Sequence, residues 1–213
     1  MKTKLLAYEG YILDVDGTLY DQRRVRLAML GRLLSHYLRH PFQIREGIVL
    51  YRFRKMREKP EWKDSSFEAL FTELESTVHI PAEQCRQVIS YWMFKVPLDL
   101  LGPSAYRDVI SFINKEHDAG KRVIVYSDYP AEDKLKAMGV ACDNMYSFGC
   151  GGIDEQKPSP RVMEKIVRET DIRPDRLLYI GDRDEKDGTS ARLANMDYCD
   201  IQEFRRRLKE RAG

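Results

Sequence analysis

The chain predicts an α/β protein, an open parallel sheet interrupted after its first strand by an all-helical insertion. Three observations carry this. Short apolar runs recur at Tyr11-Ile12-Leu13, Val123-Ile124-Val125-Tyr126 and Leu177-Leu178-Tyr179-Ile180, and each passes at once into acidic or hydroxyl residues. Strands buried on both faces of a parallel sheet read as such continuous runs. Stretches with helical periodicity lie beside them, around residues 106–119, 131–138 and 162–167. From about Tyr20 to Leu101 the strand pattern stops and only helical periodicity is left.

The first run ends in Asp14-Val15-Asp16-Gly17-Thr18. Side chains two apart on a strand share a face, and ligands of open α/β sheets bind beyond the carboxyl ends of the strands, so Asp14 and Asp16 are expected to point into one small volume. Carboxylates so placed repel unless a cation joins them or one keeps its proton. Asp and Gly also make ordinary turns. An EF-hand loop is excluded, because Gly17 is fourth from Asp14 and not sixth.

The inserted segment carries a stripe of Leu27, Leu30, Leu34, Tyr37 and Leu38, then helical stretches over 42–57, 67–78 and 82–94, and is expected to form a small bundle. Its joints are placed near Tyr20-Asp21 and at Leu101-Gly102-Pro103, where Gly and Pro end the last helical pattern. Domain limits of 1–20 with 103–213 and 21–102 follow, with hinge motion expected at the joints. Between residues 23 and 59 stand eleven Lys and Arg against two Glu. That charge serves either as a solvated face or as a grip on a second anionic group of a ligand. Arg23, Arg24 and Arg26 are nearest in sequence to the Asp14 loop. Tyr91, Trp92 and Phe94 cannot all face one core, so one of them either packs elsewhere or lines a pocket.

After Gly120 stops a helix, the second run delivers Ser127-Asp128 to the same sheet edge. Ser127 either serves chemistry there or caps the stretch 131–138. In Lys157-Pro158-Ser159-Pro160, Ser159 suits an N-cap and Pro160 the first helical position, which puts Lys157 just before a helix entrance. The third run leads into Gly181-Asp182-Arg183-Asp184-Glu185-Lys186-Asp187-Gly188, with Asp182 at the strand tip. Phe204 to Arg211 reads as a solvated terminal helix.

Composition narrows the class. At 213 residues and 43% hydrophobic, the chain can bury a substantial core, and its net charge of +2 falls short of the footprint of a nucleic-acid binder. No apolar run approaches the ~20 residues of a membrane span, and residues 1–7 lack a signal-peptide core, so a cytoplasmic protein without membrane association is expected. Cys85, Cys142, Cys150 and Cys199 show no Cys-x-x-Cys pair, which fits reduced thiols. The four histidines lack zinc-site spacing with Cys or Glu. Gly149-Cys150-Gly151-Gly152 matches neither a Walker loop nor a dinucleotide fingerprint and reads as a flexible connection.

The ordered set Asp-x-Asp-Gly-Thr, Ser127, Lys157 and Gly-Asp-x-x-x-x-Asp, each after a strand or before a helix, resembles the haloacid dehalogenase superfamily of phosphohydrolases. The resemblance covers roughly residues 1–20 and 103–213. It implies a Rossmann-like core and makes the helical insertion a cap that closes over the crevice and selects the substrate. It also implies Asp14 as nucleophile, forming an aspartyl-phosphate, and Asp16 as acid and base for the leaving oxygen and the attacking water. Mg²⁺ would be shared by Asp14 and Asp182, with the main-chain carbonyl of Asp16 a further ligand. Ser127 and Lys157 would hold the phosphoryl group. Motif spacing selects Asp187, not Asp184, to orient Lys157 or a water on the metal.

Dehalogenases and phosphonatases of that superfamily carry something other than Asp at the second motif position. Asp16 therefore favours a phosphomonoester with an alkoxide leaving group, and the expected ligand is a small phosphorylated metabolite. A phosphomutase using the same aspartyl-phosphate, or a phosphate-binding protein without turnover, are the alternatives.

Overall fold

The computed structural model describes residues 7–59, 62, 65–148 and 155–212, so Gly149-Cys150-Gly151-Gly152 lies outside the described residues. In chain order the elements are β1 (Gly10–Leu13), α1 (Gln22–Arg39), α2 (Arg45–Glu58), α3 (Phe67–Val78), α4 (Ala82–Ile89), α5 (Leu98–Ser104) and α6 (Arg107–Asp118). There follow β2 (Arg122–Ser127), α7 (Glu132–Met138), β3 (Asn144–Ser147), α8 (Pro160–Thr170), β4 (Leu177–Gly181), α9 (Thr189–Leu193), β5 (Asp197–Asp200) and α10 (Ile201–Ala212). The chain divides into two compact units, Met1–Gln22 with Ser104–Gly213, and Arg23–Pro103.

The first unit is an α/β, Rossmann-like layer built on five parallel strands in the order β3-β2-β1-β4-β5. The central strand is β1, with Gly10–Leu13 paired to Arg122–Val125 on one side and to Leu177–Ile180 on the other. One sheet face, with Ile12, Ile124, Tyr126 and Tyr179, packs on Val162, Met163 and Ile166 of α8. On the opposite face Tyr11 meets Phe112 of α6 edge-on at 5.7 Å, and Phe112 meets Phe204 of α10 at 5.4 Å. Each such buried side chain contributes roughly 1.5–3 kcal/mol. Helix α8 starts as its sequence dictates: Pro160 takes the first position and the Val162 amide donates to Ser159 Oγ at 3.2 Å. Where the chain leaves and re-enters this unit, Tyr20 and Ala105 form an antiparallel bridge, flanked by Asp21 N–H to Ser104 O and Tyr106 N–H to Leu19 O.

The second unit is helical throughout its described residues. Its interior is Phe53, Leu70, Phe71, Leu74, Cys85 and Ile89, and the near-parallel rings of Phe53, Phe67 and Phe71 form a triad with centroids 6.0–6.1 Å apart. Ser66 caps α3 by accepting from the Ala69 amide. Beyond α4 the chain widens into a π-helical turn, Ser90–Lys95, which separates the successive aromatics. Trp92 is buried and donates Nε1–H to Glu46, whereas Tyr91 is exposed.

Several expectations need correction. Strands β3 and β5 carry no apolar run, being four-residue edge strands only partly buried. Gly102 and Pro103 do not end a helix but lie within α5, where the missing Pro103 N–H deprives only the carbonyl of exposed Asp99. The stretch from residue 42 is split by a 3₁₀ turn, Pro41–Gln43, before α2. Leu27, Leu30, Leu34 and Leu38 face solvent, because α1 packs through Val25 and Met29. Arg57, one of the basic run, is buried against the Phe67 ring. Helix α10 is not simply solvated, since Ile201 and Phe204 are buried. No helix among the described residues is long and apolar enough to cross a membrane.

Candidate active site

Chain connections run from β1 toward β2 and from β4 toward β5, on opposite sides, so the strand order reverses between β1 and β4. A crevice opens at the carboxyl ends of strands placed in this way. Asp14 follows β1 there and Asp182 follows β4, with the Asp14 amide donating to Ile180 O.

Asp14 is buried and held at both oxygens. Lys157 Nζ donates to Oδ1 at 2.5 Å and Thr18 Oγ1 donates to Oδ2 at 3.0 Å. Lys157, only 2% exposed, also donates to Asp187 Oδ1 at 2.7 Å and lies over the rings of Tyr126 and Tyr179. Asp187 Oδ1 also accepts from Tyr179 and Oδ2 from the Arg183 amide. Its hydrogen bond to Lys157 places it beside that ammonium.

Asp14, Asp182 and Asp187 each offer a carboxylate oxygen within 4.8 Å of the others. Burial raises the Asp14 pKa to about 7; the Lys157 ammonium opposes this, while the Asp187 and Asp182 charges add to it. Asp182 is raised to about 6, by burial and then by Asp187. For Lys157, burial works against the charged form but the surrounding acids prevail and keep it protonated. One ammonium thus serves three carboxylates, which leaves a deficit of positive charge. Asp182 Oδ1 is buried without a hydrogen-bond partner. An oxygen-only donor set with an unsatisfied buried carboxylate oxygen fits a hard divalent cation such as Mg²⁺.

Two glycines let these acids approach. Gly17 has φ +101°, and a Cβ there would lie 2.2 Å from Asp182 Oδ2. A Cβ on Gly181 would fall 2.4 Å from Asp187 Oδ2.

Asp16 departs from the expectation of a shared volume. Strand β1 ends at Leu13, so the two-residue alternation lapses and the Asp16 carboxylate turns to Lys134 of α7, at 2.6 and 2.7 Å, and to the Tyr20 hydroxyl. Burial alone would raise Asp16, but Lys134 and Tyr20 override it and hold the carboxyl below the usual range.

Ser127 is buried at the end of β2; its Oγ accepts from the Tyr129 amide at 3.3 Å. It does not cap α7, whose N-cap is Ala131, and its hydroxyl hydrogen stays available to a ligand. Asp128, unassigned from sequence, ties the loops together by accepting from the Lys157 amide and from Lys186 Nζ. Asp184 pairs with Arg192 on the surface. The core thus gathers Asp14, Asp16, Ser127, Lys157, Asp182 and Asp187 at one sheet edge, whereas Arg23, Arg24 and Arg26 lie exposed on α1 in the helical unit.

Comparison with known proteins places the fold. The fold is shared with 2-haloacid dehalogenase from Pseudomonas syringae pv. Tomato DC3000 (19% identity, TM-score 0.61, 89% of this chain and 84% of that one). It is shared also with YfnB from Bacillus subtilis, solved bound to magnesium (14%, 0.59, 90% and 87%), and with a HAD phosphatase from Thermococcus onnurineus (16%, 0.58, 89% and 84%). No curated protein matches the chain in sequence. The family model for haloacid dehalogenase-like hydrolases matches residues 8–195, and with the four motifs converging on one crevice the chain belongs to the haloacid dehalogenase-like hydrolases.

Proposed function

We propose that this chain is a magnesium-dependent phosphatase that hydrolyses a small phosphomonoester through an aspartyl-phosphate on Asp14. The supporting observation is the placement of Asp14, locked between Lys157 and Thr18 beside a carboxylate, Asp182, that retains an unsatisfied oxygen. Asp14, Asp182 and the Asp16 carbonyl would hold Mg²⁺, which supplies positive charge for the phosphoryl oxygens.

The chain's own groups do the rest. The Lys157 ammonium and the Ser127 hydroxyl bind phosphoryl oxygens, and Asp187 keeps Lys157 aimed. An Asp14 oxygen attacks phosphorus as the ester P–O bond breaks; Asp16, ionised at rest beside Lys134, takes up a proton from solvent before the step and passes it to the departing alkoxide. Asp16 then takes a proton from the water that attacks the aspartyl-phosphate, releasing phosphate and restoring Asp14. A halide leaving group needs no proton, so Asp16 favours phosphomonoesters over the chemistry named for the Pseudomonas neighbour. To the helical unit we assign the choice of substrate, with Arg23, Arg24 and Arg26 as candidates for gripping a second anion. The scattered cysteines suit a reducing, cytoplasmic setting.

Phosphate release from sugar phosphates, nucleotides, phosphorylated acids and an aryl phosphate, with Mg²⁺ or EDTA, tests the reading. Release should require Mg²⁺ and vanish in Asp14→Asn. In Asp16→Asn, alkyl phosphates should lose more than aryl phosphates. Release undiminished in Asp14→Asn would refute the assignment.

A further inference from the structure

Ten large apolar side chains are more than half exposed among the described residues, and eight of them fall between Leu27 and Tyr51. On α1, Leu27, Leu30, Leu34 and Leu38 recur at spacings of three and four and so share one face. Ile44, at the N-cap of α2, and Ile48 and Tyr51 on that helix do the same, and Phe42 in the connection is 97% exposed. The unit does not need these residues for its own packing, which uses Val25 and Met29 of α1 and Val49, Leu50, Phe53 and Met56 of α2. Exposed apolar side chains gathered on neighbouring helix faces mark a surface that another molecule covers.

Charge identifies what covers it. Arg23, Arg26, Arg45, Arg52 and Arg54 border the two stripes, are exposed, and have no acidic partner among the described residues. Lys55 extends the α2 stripe by one turn, its ammonium over the Tyr51 ring. A second copy of the chain would set one basic border against another. A nucleic acid would engage the arginines but leave the leucines in water. An apolar stripe with arginine borders on an exposed helix is the pattern of a segment lying in the plane of a membrane interface.

We propose that the α1–α2 face docks on an anionic phospholipid bilayer, with the leucines and Phe42 at the acyl boundary and the arginines on headgroup phosphates. The attachment is peripheral, and it concerns the helical unit independently of the chemistry proposed for the core.

The test is co-sedimentation of the whole protein with vesicles of phosphatidylcholine, with or without phosphatidylserine. Two variants accompany it, Leu34→Glu with Leu38→Glu and Arg52→Glu with Arg54→Glu, all at exposed positions, with folding followed by circular dichroism. The wild type should pellet with phosphatidylserine vesicles, not with phosphatidylcholine alone, and should be released by salt; each double variant should bind roughly tenfold or more weakly. Failure to pellet with phosphatidylserine vesicles, equal binding to phosphatidylcholine alone, or undiminished binding by folded variants would overturn the proposal. So would a concentration-dependent dimer in sedimentation equilibrium that Leu34→Glu with Leu38→Glu dissociates, since a second copy would then cover the face.

Discussion

Lys134 donates to both carboxylate oxygens of Asp16, at 2.6 and 2.7 Å, from a helix 118 residues further along the chain. Each aspartate of the Asp-x-Asp motif therefore has its own buried lysine, Lys157 for Asp14 and Lys134 for Asp16. By keeping Asp16 ionised, Lys134 prepares it to accept a proton from water, the second half of the proposed reaction. In Lys134→Met, only the Tyr20 hydroxyl and the more distant Lys157 oppose burial, so Asp16 holds its proton more firmly. Hydrolysis of the aspartyl-phosphate should then slow by about 10²-fold, the scale of general-base catalysis. Rapid-quench kinetics should show a burst of leaving alcohol stoichiometric with enzyme. Lys134→Arg should recover part of the rate; a slow first step without a burst would count against this division of labour.

Removing Lys157 exposes the charge deficit of the site. Lys157→Met would leave Asp14 and Asp187 buried without the cation that both contact. Breaking a buried pair by deleting one partner costs about 3–5 kcal/mol. Urea unfolding in EDTA should show a loss of that order, and Mg²⁺ should recover part of it. Activity should not return, because the phosphoryl group would still lack its ammonium.

Asp14 and Asp182 titrate in the neutral to mildly acidic range, at about 7 and about 6, against an ordinary value of 3.8. Between pH 4 and 7 the metal-free folded protein therefore binds more protons at these groups than the unfolded chain does. Their contribution to stability falls as pH rises through that window. Binding of Mg²⁺ requires the carboxylates, so its affinity should climb over the same range with release of protons. Calorimetry of Mg²⁺ binding at pH 5.5 and 7.5, in buffers of different ionisation enthalpy, should show both effects. Pairs such as Lys134–Asp16 shape the total stability curve as well, so the comparison is best made against Asp182→Asn, which removes one titrating group.

Which elements were legible in the sequence follows from where they sit. The central strands β1, β2 and β4 are buried on both faces and announce themselves as apolar runs. Edge strands β3 and β5, with Asn144 and Asp197 at their starts, satisfy their backbone on one side only and need no such run. The nucleophile, metal and phosphate candidates all stand at strand tips or at a helix entrance, so their spacing exposed them. Lys134 had a fainter signal: it lies four residues before Met138, on the face of α7 that also buries Leu135, where a lysine needs a partner. The identity of that partner depends on how α7 meets the β1 loop, which one-dimensional periodicity does not encode. The α1 leucines misled for a related reason, because helical spacing reveals a face without revealing whether anything in the same chain covers it.

Gly17 links backbone conformation to metal affinity. Its φ of +101° is disfavoured for any residue with a side chain, and a Cβ would be placed 2.2 Å from Asp182 Oδ2. Gly17→Ala must therefore both strain the turn, at about 1–3 kcal/mol, and push Asp182 away from Asp14. Displacing a group that positions a metal ligand typically lowers affinity 10–100-fold, roughly the loss expected here. The apparent Mg²⁺ requirement for phosphate release should rise by that factor, while saturating Mg²⁺ should restore part of the rate, since Asp14, Asp16 and Lys157 keep their partners. A variant with unchanged Mg²⁺ dependence would show that Asp182 does not approach the metal along the path that Gly17 leaves open.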